Sequence, residues 1–415
     1  MKRVALLVLG AGFLLVTFGP HPFTGAEESD LPVYAYYADL MLHGDLPYRD
    51  FGFEYPPLAA PLMALGAIGG TGQREYELAF AALAFALACS VVLLIGAVAA
   101  RTGGDRRTAL VGGAVAVLLC GALIRTRFDL APVALTLAAL LLLCSARPRA
   151  GFAVLGLGAL TKGFPLVVVP VALAWLVMRG ERRAAVEGAA VLIATLAAVG
   201  AAATALSPDG FGDSLSYHLD RPAQVESSPA VVLTGLEALG IGEARPEQSF
   251  GSAGLRHPQS RLVLGLFTGL LAGVVALLAG AMTLGRRGPP GSRELLLASF
   301  GAITAFAVLG KVLSPQFLIW VAPLTALAAS WRMYPLAATL AAAQLLTLVE
   351  YPGLYESLER NEHGAMLVVG LRNAVLCAAV ALAIRSLVLT TKDPAPGSAR
   401  WMWPGRLRRP RPAPR

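Results

Sequence analysis

The residues with chemical potential in this sequence divide into carboxylates and cations. Asp30 directly precedes an apolar-periodic stretch, 31–46. An aspartate there can cap a helix, or, at a membrane surface, take a proton from a hydroxyl. Glu54, ahead of Tyr55-Pro56-Pro57, is the best second carboxylate, or a solvated loop residue. Asp39, Asp45 and Asp50 read as surface or turn residues. Among 34 basic residues only four are lysines, and Lys162 and Lys311 both sit at breaks between apolar runs. An ammonium in such a place either snorkels to the interface or meets a phosphate as a point charge. Arg127 either pairs with Asp129 or offers its guanidinium to a phosphate. His218 and Arg221, in Tyr217-His218-Leu219-Asp220-Arg221, suit an anionic head group or an ordinary polar loop. A proton acceptor with several cations is the equipment for moving a group away from a phosphate.

The elements that position these residues must sit in lipid. The chain has 415 residues, 56% of them apolar and 14% charged, with a mean hydropathy of +0.65. Soluble domains carry about 25% charged residues, so lipid is the solvent for much of this one. The net charge of +8 comes from basic residues at the ends of apolar runs and in the tail after Lys392. Membrane topology explains that placement, and nucleic-acid binding does not. Cys89, Cys120, Cys144 and Cys377 all lie inside apolar runs and read as small packing residues. No phosphate-binding glycine loop, serine or cysteine triad, or metal-ligand spacing is visible, so neither metal nor other cofactor is expected.

A spanning helix needs about 20 apolar residues. Spans are expected near 4–18, 76–100, 108–123, 130–144, 184–206, 262–284, 295–309, 317–329, 335–349 and 365–384. The first is short, like a signal peptide, but the spans after it favour an uncleaved helix. The run 57–68 is too short to cross and reads as a partial or surface helix. Basic residues flank 152–178 on both sides, which predicts two half-length helices meeting at Thr161-Lys162-Gly163-Phe164-Pro165. The expected fold is an all-α polytopic membrane protein of about 11–13 transmembrane helices. Both termini are expected in the cytoplasm by the positive-inside rule. The acidic first loop, with a juxtamembrane helix over 31–46, and the loop 207–261 then face outward. Residues 1–390 read as one transmembrane domain and 391–415 as a disordered Pro/Arg-rich tail.

The order of these motifs resembles the GT-C-fold glycosyltransferases, and more closely glycosyltransferase family 87. The resemblance runs through Asp30-Leu31-Pro32-Val33-Tyr34, Leu42-His43-Gly44-Asp45-Leu46-Pro47-Tyr48 and Glu54-Tyr55-Pro56-Pro57-Leu58. It continues through Arg127-Phe128-Asp129-Leu130, Leu160-Thr161-Lys162-Gly163-Phe164-Pro165 and Lys311-Val312-Leu313-Ser314-Pro315-Gln316. It implies inverting transfer of a sugar, mannose first among the candidates, from a polyprenyl-phosphate donor. The implied acceptor is a hydroxyl on a glycolipid, polysaccharide or protein outside a bacterial cytoplasmic membrane. It implies Asp30 as the base, with Glu28, two residues earlier, able to share or take the role. Lys162, Lys311, Arg127, Arg221 and His218 are then the candidates to hold the departing phosphate. The competing expectation is a secondary transporter or lipid flippase, which the broken helix at Lys162 would suit. No internal repeat supports it.

Overall fold

The computed structural model describes residues 1–19, 29–284 and 288–390. Helix α1 (Lys2–Phe18) leads to two short helices, α2 (Leu31–Leu42) and α3 (Ala59–Gly66), and α4 (Gln73–Arg101) returns. Next come α5 (Arg106–Leu118), the single turn α6 (Leu123–Thr126), α7 (Leu130–Cys144) and α8 (Pro148–Thr161). A 3₁₀ turn, Phe164–Val167, opens α9 (Val168–Met178), and α10 (Arg182–Leu206) follows. A lobe then forms from α11 (Pro208–Asp220), β1 (Ala223–Gln224), α12 (Ser228–Ala238), β2 (Arg245–Ser249) and β3 (Ser252–Arg256). The chain ends in α13 (Ser260–Ala281), α14 (Ser292–Leu309), α15 (Leu318–Ser330), α16 (Tyr334–Glu350), α17 (Tyr355–Glu359) and α18 (His363–Thr390).

Twelve of the described helices (α1, α4, α5, α7–α10, α13–α16 and α18) run alternately between two ends. One end is arginine-rich and tied together by side chain to backbone bonds. Trp175 Nε1 donates to the Gly291 carbonyl at 2.9 Å and Arg179 to that of Pro290 at 3.0 Å. Arg293 Nε donates to the Thr102 carbonyl at 3.2 Å. Asp105 caps α5 by accepting from the amides of Arg107 and Thr108. Both segments flanking Lys162 return to this end, so the expected half-helices are present as α8 and α9. The run 57–68 forms only the eight-residue α3, as expected of a surface helix.

Five helices are long and apolar enough to cross a membrane, namely α4, α10, α13, α14 and α18, and shorter apolar helices pack among them. α14 and α15 are buried along almost their whole length and form the axis, while α10 and α13 are largely exposed and face outward. Small residues let the helices approach closely. A Cβ on Gly188 of α10 would come within 2.3 Å of the Phe152 ring on α8, so any larger residue there pushes these helices apart.

Helix length explains where the site forms. α4 has 29 residues, but α7 has 15 and α8 has 14. At 1.5 Å per residue the short helices cover about 22 Å, against about 30 Å of hydrocarbon. Their ends therefore lie in a recess below the level the long helices reach. Aromatic packing of α2, α3 and the 48–55 loop walls that recess, with Tyr34 against Phe80 and Phe128 at ring separations of 5.7 and 5.5 Å.

One expectation needs enlarging. The segment 207–261 is a folded lobe with a three-stranded antiparallel sheet in the order β1-β3-β2. Ser207 and Ser227 cap its two helices through the amides of Gly210 and Ala230. The hairpin β2–β3 turns at Phe250-Gly251, both at positive φ (52° and 62°), the geometry of a two-residue hairpin turn.

Candidate active site

The recess gathers side chains from distant parts of the chain. Asp30 stands where a cap of α2 would stand, yet its side chain caps nothing. Instead Asp30 Oδ2 lies 3.1 Å from Arg127 Nε and accepts from the Tyr34 hydroxyl at 3.2 Å. Burial above all, and then neighbouring Tyr55 and Asp30, hold the Tyr34 phenol well above its ordinary pKa. It therefore donates to the carboxylate and stays protonated. Asp30 remains 34% exposed while Arg127 is only 8% exposed. A carboxylate fixed from behind by a buried cation, with an open front, has the arrangement a proton acceptor needs.

Two residues on, the expected Arg127–Asp129 pair is not what forms. Asp129 is fully buried and receives Lys162 Nζ on both oxygens at 2.8 Å, with Trp320 Nε1 on one of them at 2.6 Å. Lys162 also lies over the faces of Phe128 and Trp320, at 4.9 and 5.7 Å. Because Arg127 starts an extended step before α7, residues 127 and 129 turn to different partners. Lys162, a candidate phosphate ligand on sequence, thus has a carboxylate partner within the chain.

Lys311 and Arg221 are placed differently. Lys311 Nζ donates to the carbonyls of Leu219 and Arg221 at 2.6 and 3.0 Å. Arg221 donates to the Ser252 hydroxyl at 2.6 Å and lies 5.9 Å from the Tyr217 ring. Neither makes an ion pair among the described residues. Partial burial first, and Arg221 second, lower the Lys311 pKa, as two cations held close together must. Glu54 accepts from the Tyr37 hydroxyl at 2.6 Å, and its backbone carbonyl lies 2.8 Å from His218 Nε2. The structure thus joins Asp30 to Arg127, and separately Asp129 to Lys162, by direct contacts. Glu54 and His218 join by another bond, and Lys311 and Arg221 by a third. Glu28 lies outside the described residues. Asp50 serves as a turn residue, accepting from the Leu46 amide at 2.8 Å.

Three charged residues behind the recess escaped sequence reasoning. Arg372 is fully buried and bonds the Glu350 carboxylate, the Glu226 carbonyl (2.7 Å) and Asn373 (3.1 Å). Burial first, and then the adjacent Glu350, raise the Glu226 pKa well above the usual carboxylate range. This cluster ties β1 and α12 to α16 and α18. A signal was available, since an arginine at position 372 interrupts a long apolar run, and an ionisable group at membrane depth needs a stated partner.

One family model overlaps part of these motifs. Residues 53–239 match the model of glycosyltransferase family 87. No curated protein matches the chain. Two crystal structures of ArnT from Cupriavidus metallidurans are similar, one bound to undecaprenyl phosphate and one in the apo state. Their TM-scores are 0.45 and 0.43 at 16% and 17% identity, covering 93% of this chain and 77% of each of theirs. The family match spans Glu54, Arg127, Asp129, Lys162, His218 and Arg221, and among the described residues the chain has five helices long and apolar enough to cross a membrane.

Proposed function

We propose that the protein transfers a sugar, with inversion, from a polyprenyl-phosphate donor to a hydroxyl acceptor, and that Asp30 is the general base. The observation that carries this reading is the Asp30 carboxylate, open at the front and held from behind by Arg127 and Tyr34. In the reaction Asp30 takes the proton of the acceptor hydroxyl as its oxygen bonds to the anomeric carbon. The bond from that carbon to the phosphate oxygen breaks on the opposite face, through an oxocarbenium-like transition state similar to that of glycoside cleavage. Polyprenyl phosphate departs as an anion and needs no general acid.

Stabilising that anion falls first to Lys311 and Arg221, which have no carboxylate partner among the described residues, with His218 near Arg221. Arg127 and Lys162, each already paired, orient the base and shape the recess floor. Mannose is the proposed sugar, on the family resemblance, with a glycolipid, polysaccharide or protein hydroxyl as acceptor. The membrane is the bacterial cytoplasmic membrane, with the recess outside and the termini inside. The arginines at the opposite end (Arg101, Arg106, Arg107, Arg147, Arg149, Arg182, Arg183) support that orientation. A transfer assay in liposomes, with labelled polyprenyl-phosphate sugars and NMR of the product anomer, tests the proposal. Consumption of one donor with inverted stereochemistry supports it. A retained anomeric configuration would overturn the single displacement.

A further inference from the structure

A cavity opens beside α2, along the helix face that carries Pro32, Ala35, Tyr36 and Asp39. It is a cleft of about 480 Å³ between α2 and the start of α4, lined by Tyr36, Asp39, Thr71, Gln73 and Glu77. Leu31 and Pro32, the two residues after Asp30, also line it, so the cleft reaches the turn that carries the candidate base. Its chemistry differs from that of the recess. No lysine, arginine or histidine is among the described residues that line it, whereas Lys311, Arg221 and His218 lie on the recess side. Tyr36 is 60% exposed and presents an aromatic face. Gln73 Nε2 donates to Glu77 Oε1 at 3.2 Å, leaving the other Glu77 oxygen and the Thr71 hydroxyl to a guest.

The described lining holds two carboxylates and no basic side chain, His43 lying just outside it at 3.8 Å from Asp39, and such a surface disfavours phosphates and anionic head groups. A bare cation would use acceptors only and leave the amide and hydroxyl donors idle. A sugar has an apolar ring face for the tyrosine, and hydroxyls that both donate to carboxylates and accept from amides. The volume falls within the range of small-molecule sites, roughly 300–1,000 Å³.

We propose that this cleft is the acceptor subsite and that it takes an uncharged carbohydrate. The proposal rests on the transferase reading for its role. Asp30 then stands between a cationic donor side and an acidic, aromatic acceptor side. Opposite charge keeps the two substrates from exchanging places.

The test uses the full chain in nanodiscs of neutral phospholipid. Saturation-transfer NMR measures binding of methyl α-mannoside, methyl α-glucoside and methyl α-galactoside, with methyl glucuronide as the charged comparator. Undecaprenyl phosphate binding is measured on the same samples. At least one neutral glycoside should bind wild type, and the glucuronide more weakly. Tyr36→Ala and, independently, Glu77→Gln should weaken the glycoside about tenfold, the loss expected for one hydrogen bond to a charged group. Undecaprenyl phosphate binding should not change in either. Glu77→Gln keeps the side-chain volume and guards against misfolding in the first variant. The proposal is overturned if no neutral glycoside binds wild type, if the glucuronide binds as well, or if binding is unaffected in both variants. Glycoside binding without undecaprenyl phosphate binding would leave the carbohydrate cleft standing and sink the donor assignment instead.

Discussion

The recess and the arginine-rich end of the helix bundle hold charge in opposite ways. At the arginine-rich end the ion pairs are exposed. Arg183 is 90% exposed where it meets Glu187, and Arg149 is 66% exposed on the same carboxylate. At the recess the pairs are buried, with Asp129 at 0% and Arg372 and Glu350 at 0%. Exposed pairs contribute little to stability, while buried ones carry a desolvation cost that only good geometry offsets. The first set marks topology. The second set is retained at a cost, and the function proposed for the recess supplies a reason for retaining it.

That contrast can be broken in graded steps. The largest effect should come from Arg372→Met, which leaves the fully buried Glu350 carboxylate without its cation. Stability in detergent, measured by denaturant unfolding, should fall by about 3–5 kcal/mol. Asp129→Asn should cost less, because Lys162 keeps 18% of its side chain exposed and can turn to water. The same unfolding measurement should rank it below Arg372→Met, and the reverse order would refute the burial argument. Lys311→Ala removes the cation proposed to meet the phosphate, which has no carboxylate partner among the described residues. It should slow sugar transfer on the order of 10²-fold with a smaller stability loss than Arg372→Met, because it removes a donor from two carbonyls but strands no charge. Arg183→Ala, at the other end, should change stability by no more than about 1 kcal/mol. A loss comparable to that of Arg372→Met would erase the distinction between the ends.

Much of the bundle was legible in the sequence, because span length and flanking arginines are local signals. The break at Lys162-Gly163-Phe164-Pro165 was legible for the same reason, with basic residues at both outer ends and a proline between. The lobe 207–261 was not read as folded, although Phe250-Gly251 between two short polar strands marks a hairpin turn. What stayed illegible was pairing. Nothing local says that Arg127 turns to Asp30, 97 positions away, and Asp129 to Lys162 and Trp320, 33 and 191 positions away. Those choices are made where short helices end together at one depth, a property of the packed bundle. The approach of Lys311 to the Leu219 carbonyl likewise depends on where the lobe lands.

The central claim is that Asp30 is a base and not a cap, and one comparison tests it most directly. Wild type and Asp30→Asn are reconstituted side by side, and both donor binding and sugar transfer are measured. Asparagine keeps the shape and still accepts from Tyr34, but it cannot take a proton at neutral pH. The account predicts unchanged donor binding and a fall in transfer of about 10²–10⁴-fold. Equal turnover by both proteins would contradict it and move the search for the base to Glu54 or Glu28.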